Sequence, residues 1–253
     1  MKIVASIQAR LSSTRLPGKV LKEIAGKPML QWQIERLQQS RLIDDIVVAT
    51  TTNPADDRIV EFCNRQGYKV FRGDEDNVLQ RLADLIVKYE VDIHVECFGD
   101  SPLTDPRMVD EFIGYLLKHQ NSVDFVSNSL KTTYPPGSEV IVYKGGALIK
   151  VNGLVEKSDP LREHVSLHIY RRTDLFAVMN LEAPSYLYYP DLYMEVDTPE
   201  DFQVMTFVIE NMMARGHLIF SIDQVVDLLL DNPDISSINR KVNRRWKEYR
   251  NDD

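Results

Sequence analysis

The sequence contains little cysteine and lacks any long apolar segment. Its 253 residues include two cysteines, Cys63 and Cys97, which form neither a disulfide framework nor a metal-binding spacing. No apolar run approaches the roughly 18 residues that cross a bilayer, and no signal peptide precedes the first strand pattern. We therefore expect a cytoplasmic protein that does not insert into a membrane.

Positive charge is also scarce over the chain as a whole. The formal net charge is −8, which argues against a general binder of nucleic acids or anionic membranes. The glycine-rich phosphate motifs GxxxxGK[ST] and GxGxxG are both missing. We therefore expect no nucleic-acid partner, and any polyanion must be bound by a local group of cations.

One segment provides such a group. Five cations within residues 10–27 are opposed only by Glu23; they are Arg10, Arg15, Lys19, Lys22 and Lys27. The segment follows an apolar run at 3–7 that predicts a buried strand, and it also contains three hydroxyl residues at 12–14 and Gly18. Such a loop at the end of a strand suits a triphosphate. From these residues alone, a solvated turn with scattered basic side chains explains the pattern equally well.

Strand and helix patterns alternate in the first half of the chain. Continuous β-branched and aromatic runs predict strands at 3–7, 46–50, 68–71 and 91–98. Helical patterns begin at Pro28 as a first helical position and recur around 59–63, 79–86 and 108–117. This alternation predicts an α/β fold whose parallel strands place a ligand crevice at their carboxyl ends.

The second half is less regular. Short strands are predicted at 124–127, 139–143, 175–181 and in "LYMEV" (192–196), and helices at 161–170 and 222–230. Another helix should begin after Thr198 as its cap, with Pro199 in its first turn. We expect one domain over 1–240 with a small excursion at about 124–195, followed by a peripheral tail at 241–253.

Two aspartates follow predicted strands at the edge where the cationic loop begins. Asp100 comes after the 91–98 strand through a glycine, and Asp197 follows "LYMEV". Two carboxylates beside a phosphate-binding loop can share Mg²⁺, which prefers carboxylate and phosphate oxygens. Taken singly, each aspartate is explained more simply as a turn or helix-capping residue.

Three further residues are weaker candidates for contacts with a second substrate. Arg162 and His164 lie in "REHVSLHIY", and Glu139 follows "YPPGS". A solvated face or a subunit contact explains Arg162 and His164 nearly as well. His164 and His168 have i, i+4 spacing but lack the HExxH glutamate and the third ligand of a zinc site.

Four segments, taken in order, resemble the cytidylyltransferase family: "QARLSSTRLPGK", "FGDSPLTDP", "REHVSLHIY" and "VDTPED". The family includes the CMP-sialic acid and CMP-KDO synthetases and spore-coat polysaccharide (SpsF-like) proteins, and the last group is the most similar. The resemblance runs from Lys2 to about Met212. Its RxxSxRLPxK signature is present as Arg10, Ser13, Arg15, Leu16, Pro17 and Lys19. The resemblance implies a single Rossmann-like, GT-A-like domain with a mixed, mainly parallel sheet and a small dimerisation excursion.

The resemblance also implies roles for individual residues. Ser6, Gln8 and Ala9 would lie near the base and ribose, and the residues that bind the nucleotide would be Gln8, Ala9, Arg10, Ser13, Arg15, Lys19 and Asp100. Catalysis would depend on Arg15, Lys19 and Asp100. The Mg²⁺ cofactor would be held by Asp100 and Asp197.

The function implied by the resemblance is transfer of CMP from CTP to a sugar acid or phosphorylated sugar-like acceptor, with release of pyrophosphate. The product would serve surface polysaccharide synthesis, as in the spore coat, and the enzyme would be a homodimer. A sugar-1-phosphate guanylyl- or uridylyltransferase remains an alternative, because base contacts do not follow from these motifs. A non-catalytic nucleotide-sugar binder is a third possibility, but it predicts the loss of a loop cation or an aspartate, and all of these are present.

Overall fold

The computed structural model describes residues 1–217 and 219–248. The strands are β1 (Ile3–Gln8), β2 (Glu23–Ile24), β3 (Lys27–Pro28), β4 (Asp45–Thr51), β5 (Lys69–Gly73), β6 (Ile93–Phe98), β7 (Phe125–Ser127), β8 (Ile141–Lys144) and β9 (Val178–Asn180). The α-helices are α1 (Met29–Leu37), α2 (Asp57–Gln66), α3 (Val78–Tyr89), α4 (Pro106–Lys118), α5 (Gly145–Leu154), α6 (Leu167–Tyr170), α7 (Pro199–Ala214), α8 (Ile222–Asp231) and α9 (Pro233–Ser236). Short 3₁₀ helices occupy Lys19–Leu21, Pro54–Asp56, Pro160–Glu163, Ser185–Leu187 and Arg245–Glu248.

Seven strands form one mixed, mainly parallel sheet in the order β5-β4-β1-β6-β8-β7-β9. Strands β4, β1 and β6 are parallel neighbours, whereas β8 runs antiparallel to both β6 and β7. The parallel register pairs Gln8 with Phe98, so β1 and β6 end side by side. The loops that leave these two strands therefore begin at one edge of the sheet, as expected for an α/β crevice.

Apolar cores cover both faces of the sheet. Alternate β1 residues face opposite ways: Ala5 and Ile7 join the core with α1, α4, α7 and α8, and Val4 joins the core with α3 and α5. Both cysteines are buried thiols. No helix within the described ranges is long and apolar enough to cross a bilayer.

Three local expectations differ from the structure. Pro28 precedes α1 in an extended conformation instead of occupying its first turn. The helix predicted over 161–170 is two short turns, Pro160–Glu163 and Leu167–Tyr170, with non-helical backbone at His164 between them. "LYMEV" is extended but belongs to no sheet.

The segment 241–248 also differs from the expected peripheral tail. Arg244 is buried, and its guanidinium donates to Asp201 Oδ1 over 2.7 Å. Arg245 and Trp246 line the cavity described below. The expectation for residues 249–253 lies outside the described residues.

Candidate active site

A cavity of about 490 Å³ opens at the carboxyl ends of β1 and β6. Except for Ser6, its lining includes the residues expected from the sequence to contact the nucleotide: Gln8, Ala9, Arg10, Ser13, Arg15, Lys19 and Asp100. Asp197, Glu139 and His164 also line it. The structure thus gathers residues from both halves of the chain at one edge of the sheet.

The cationic loop turns back toward the sheet at Gly18. This glycine adopts a left-handed conformation with φ 67°, and its N–H donates to Leu11 O over 3.1 Å. The 3₁₀ turn Lys19–Leu21 follows at once, and Lys19 is buried at its start. The tight turn therefore places the Lys19 ammonium inside the cavity and not in solvent.

Asp100 reaches the cavity through a close approach between β6 and the end of β1. Gly99 donates its N–H to Gln8 O over 2.9 Å. A Cβ at Gly99 would lie 2.8 Å from that same oxygen and 3.0 Å from Val20. Glycine is required because a side chain would push the Asp100 backbone away from the loop.

Asp197 is positioned by the extended segment that contains "MEV". Met194 N–H donates to Pro136 O over 2.7 Å, and Val196 N–H donates to Asp100 O over 2.8 Å. Beyond Asp197, Thr198 caps the start of α7, as the sequence predicts, and Asp201 completes a reciprocal capping box with it. These contacts fix the Asp197 backbone from both sides.

Arg15 and Lys19 bind the two aspartates directly. Arg15 Nη2 lies 2.6 Å from Asp197 Oδ2, and Lys19 Nζ lies 2.8 Å from Asp197 Oδ1 and 3.1 Å from Asp100 Oδ2. Burial alone would lower the pKa of Lys19, but the charges of Asp100 and Asp197 outweigh it and raise that pKa. Burial alone would raise the pKa of Asp197, but Lys19 and then Arg15 lower it. Lys19 and Asp197 therefore both carry charge at neutral pH.

Several lining residues were not identified from the sequence. Arg81 lies in the first turn of α3, and its pKa is lowered to about 10, first by burial and then by Arg10. Trp246 donates from Nε1 to Glu195 Oε1 over 3.0 Å. The pKa of Glu195 is raised to about 7 by burial and by Glu139, against the opposing effect of Arg244. No local motif marks these residues, because their place in the site depends on long-range packing.

Two expected contacts are not found. Arg162 does not line the cavity, because its guanidinium donates to Asn77 Oδ1 and Val155 O, at 2.9 and 2.8 Å, and to Asn152 Oδ1. Ser6 is fully buried, with its Oγ 2.8 Å from His94 Nε2. Arg162 therefore braces the starts and ends of neighbouring helices, and Ser6 lies beneath the site.

Comparison with known proteins matches this chain over nearly its whole length. A family model described as cytidylyltransferase matches residues 4–243. The spore coat polysaccharide biosynthesis protein SpsF of Bacillus subtilis is 30% identical over 239 residues, which cover 93% of this chain and 97% of that protein. The 3-deoxy-manno-octulosonate cytidylyltransferase of Geobacter metallireducens is 32% identical over 201 residues, which cover 70% of this chain and 78% of that protein.

A solved structure agrees with these sequence matches. The structure of a cytidylyltransferase from Leptospira borgpetersenii serovar Hardjo-bovis has a TM-score of 0.87 and 28% identity, covering 96% of this chain and 100% of the other. The family match contains both the loop at 10–19 and the aspartates that it contacts. The chain therefore belongs to the cytidylyltransferase family and is a nucleotidyltransferase.

Proposed function

We propose that this enzyme transfers CMP from CTP to a sugar acid or a phosphorylated sugar-like acceptor in glycan synthesis. The observation that carries the proposal is the convergence of Arg15 and Lys19 with Asp100 and Asp197 in one cavity. Cations that bind phosphate oxygens and carboxylates that bind a metal are the two groups that nucleotidyl transfer requires. The names of the relatives from Bacillus and Geobacter support a glycan pathway.

The two aspartates suit Mg²⁺. Both point a carboxylate oxygen at one atom, Lys19 Nζ, within 3.1 Å, so they already converge on a common cation. Within residues 1–217 and 219–248, no three His, Cys, Asp or Glu side chains form a metal-binding cluster. This arrangement favours Mg²⁺, which binds through one or two carboxylates together with substrate phosphates and water. When bound, Mg²⁺ would neutralise phosphate charge and orient the α-phosphate.

Binding of CTP would exchange the partners of these charges. Arg15 and Lys19 would leave the carboxylates and bind phosphate oxygens, with Arg10 at the more exposed end of the loop. An acceptor oxygen would then attack the α-phosphorus in line, forming one P–O bond as the bond to the β-phosphate oxygen breaks. Arg15 and Lys19 would stabilise the pyrophosphate that leaves, and positioning would supply much of the remaining acceleration.

The acceptor would bind beside the excursion. Glu139, His164, Glu195 and Trp246 all line the cavity. Burial lowers the pKa of His164, so its imidazole is neutral at pH 7 and serves as a hydrogen-bonding group. A homodimer, a cytoplasmic location and a role in a spore coat remain predictions.

The test is pyrophosphate release from each of the four NTPs with Mg²⁺, against a panel of sugar acids and sugar phosphates. We expect release with CTP, and stronger thermal protection by CTP than by the other nucleotides. Asp197→Asn should reduce turnover on the order of 100-fold, since metal binding contributes several kcal/mol to the transition state. The exposed Asp234 gives the matched control, Asp234→Asn. Preference for GTP or UTP, or full turnover by Asp197→Asn at limiting Mg²⁺, would refute the proposal.

A further inference from the structure

A buried carboxyl group lies directly beneath the floor of the cavity. Glu96, on β6, is 2% exposed. Its Oε1 accepts from Gln8 Nε2 over 2.9 Å, and its Oε2 accepts from Tyr143 OH over 3.1 Å. Glu96 does not line the cavity, whereas Gln8 does. Two successive hydrogen bonds therefore connect the buried Tyr143 hydroxyl, through the Glu96 carboxyl group, to the Gln8 amide in the wall of the cavity.

This contact fixes the orientation of the Gln8 amide. A carboxylate only accepts hydrogen bonds, so the side of Gln8 that faces Glu96 must be the Nε2 donor. Within the described residues, no group donates a hydrogen bond to Gln8 Oε1. This oxygen is also not one of the buried polar atoms without a partner, so it is not fully buried. The carbonyl oxygen therefore remains accessible from the cavity as an acceptor.

The surroundings of that oxygen suit a flat heteroaromatic ring. Phe98 is paired with Gln8 in the parallel register, so the two side chains lie next to each other on one face of the sheet. Phe98, Val78, Ile141 and Tyr170 line the same cavity. Aromatic faces stack on nucleobases independently of their identity, and a neighbouring polar group then distinguishes one base from another.

We infer that Gln8 selects the nucleotide base: its carbonyl oxygen accepts a hydrogen bond from the exocyclic amino group of cytosine, and Glu96 is the positioning residue that holds the amide in this orientation. The inference rests on the proposed function. Uracil has a carbonyl oxygen where cytosine has the amino group, so UTP would place two acceptors against each other. The loop cations would bind phosphate oxygens, which CTP and UTP share, and so would not contribute to this choice.

The charge state of Glu96 supports the arrangement. Burial raises the pKa of Glu96 to about 7, although hydrogen bonds from Tyr143 and Gln8 act in the opposite direction. At pH 8.5 Glu96 is therefore mostly a carboxylate, and it can only accept from Gln8. A glutamine at position 96 instead has a donor of its own, which lets the Gln8 amide rotate and present N–H to the cavity.

The experiment measures the dissociation constants of CTP and UTP for the full-length protein at pH 8.5 with Mg²⁺, so no acceptor is needed. We expect the wild type to prefer CTP by about 10- to 100-fold, the range for a hydrogen bond replaced by an unsatisfied polar pair. Gln8→Met should reduce the preference to within about threefold, and Glu96→Gln should reduce it equally or invert it toward UTP. Gln66→Met is the control: Gln66 is exposed at the end of α2 and does not line the cavity, so the preference of this variant should stay within about threefold of the wild type.

The outcomes separate this inference from the proposed function. If the wild type binds neither CTP nor any other NTP, the proposed function fails. If it binds CTP and releases pyrophosphate, but Gln8→Met keeps the wild-type preference for CTP, the inference is wrong. Gln8→Met tests the inference even if Glu96→Gln fails to fold.

Discussion

Arg15 and Lys19 have the same charge but use different contact geometries. Arg15 places Nη2 on Asp197 and Nη1 on Asn243 O, at 2.6 and 2.9 Å, so both arms of the guanidinium are engaged. Lys19 has one nitrogen, which bridges Asp100 and Asp197. A planar fork and a compact point charge bind phosphate differently, so the two residues are not interchangeable.

Arg15→Lys should therefore impair the enzyme although the charge is retained. A charge-to-phosphate contact contributes roughly 1.5–3 kcal/mol, so kcat/KM for CTP should fall about 10- to 150-fold. Lys27→Ala is the control, because Lys27 lies outside the cavity and pairs with Glu35 over 2.6 Å. It should change kcat/KM by less than about threefold, since surface pairs contribute little. Equal, mild losses in both variants would mean that the loop acts only by diffuse electrostatic attraction.

At the level of single residues, sequence reasoning succeeds where a motif fixes the local backbone. Most residues from Gln8 to Arg15, together with Lys19, line the cavity because one strand and one tight turn place them there. Arg162 was assigned wrongly because the destination of a long side chain depends on Asn77, 85 positions away. Trp246 was missed for the same reason, since its partner Glu195 is 51 positions away.

Among the structural elements, the extended segment before α7 shows why strands cannot be identified from pattern alone. "LYMEV" has the alternation of a strand, but its backbone partners are Pro136 O and Asp100 O, which belong to a turn and a loop. By contrast, the predicted bounds of β1, β4 and β6 agree with the structure within two residues, because runs buried on both faces are distinctive. The break in the 161–170 helix was not predicted, since apolar periodicity continues across it.

Gly137→Ala tests whether the segment 192–196 positions Asp197. Gly137 has φ +98°, and a Cβ there would lie 2.2 Å from Glu195 N and 2.4 Å from Met194 C. We expect a loss of roughly 1–3 kcal/mol in the free energy of unfolding from backbone strain. Because the segment must shift, kcat should fall on the order of 100-fold. Urea unfolding and steady-state kinetics measure the two effects.

Gly153→Ala is the matched control. Gly153 lies near the end of α5, and a Cβ there meets nothing within 4 Å. This change should stabilise the protein by about 0.5–1 kcal/mol and leave kcat unchanged. A Gly137→Ala protein with wild-type kcat would show that the segment does not need its observed path to hold Asp197.

For the whole molecule, buried titratable groups make stability depend on pH. Burial raises the pKa values of Glu96 and Glu195 to about 7, and burial lowers the pKa of His94 to about 3. A raised carboxyl pKa means that the folded state holds a proton that the unfolded state has released. The stability from Glu96 is therefore present at pH values below about 4.5 and is lost as pH rises toward 7 and beyond. His94 acts in the opposite sense, because its neutral form is favoured in the fold and stability is lost as pH falls below about 6.5.

Glu96→Gln isolates one of these contributions. The free energy of unfolding of Glu96→Gln minus that of the wild type should increase between pH 5 and pH 8, because only the wild type loses the contribution of Glu96. The increase should be on the order of 3 kcal/mol, since each pKa unit corresponds to about 1.36 kcal/mol. Glu195 and His94 are common to both proteins, so their effects cancel in the difference. Urea unfolding at the two pH values measures it. Parallel stability curves for the two proteins would show that Glu96 does not titrate in this range.

The contact between Arg15 and Asn243 joins positions 228 residues apart. Strands β1, β4, β5 and β6 are complete once residue 98 has been made, so a ribosome-bound nascent chain can begin to form the sheet early. The wall of the site that includes Trp246 comes much later in synthesis. We therefore expect a nascent chain that already holds the loop and Asp100 to be inactive until this last segment has left the ribosome, and we expect N-terminal fragments that lack the segment to be inactive as well.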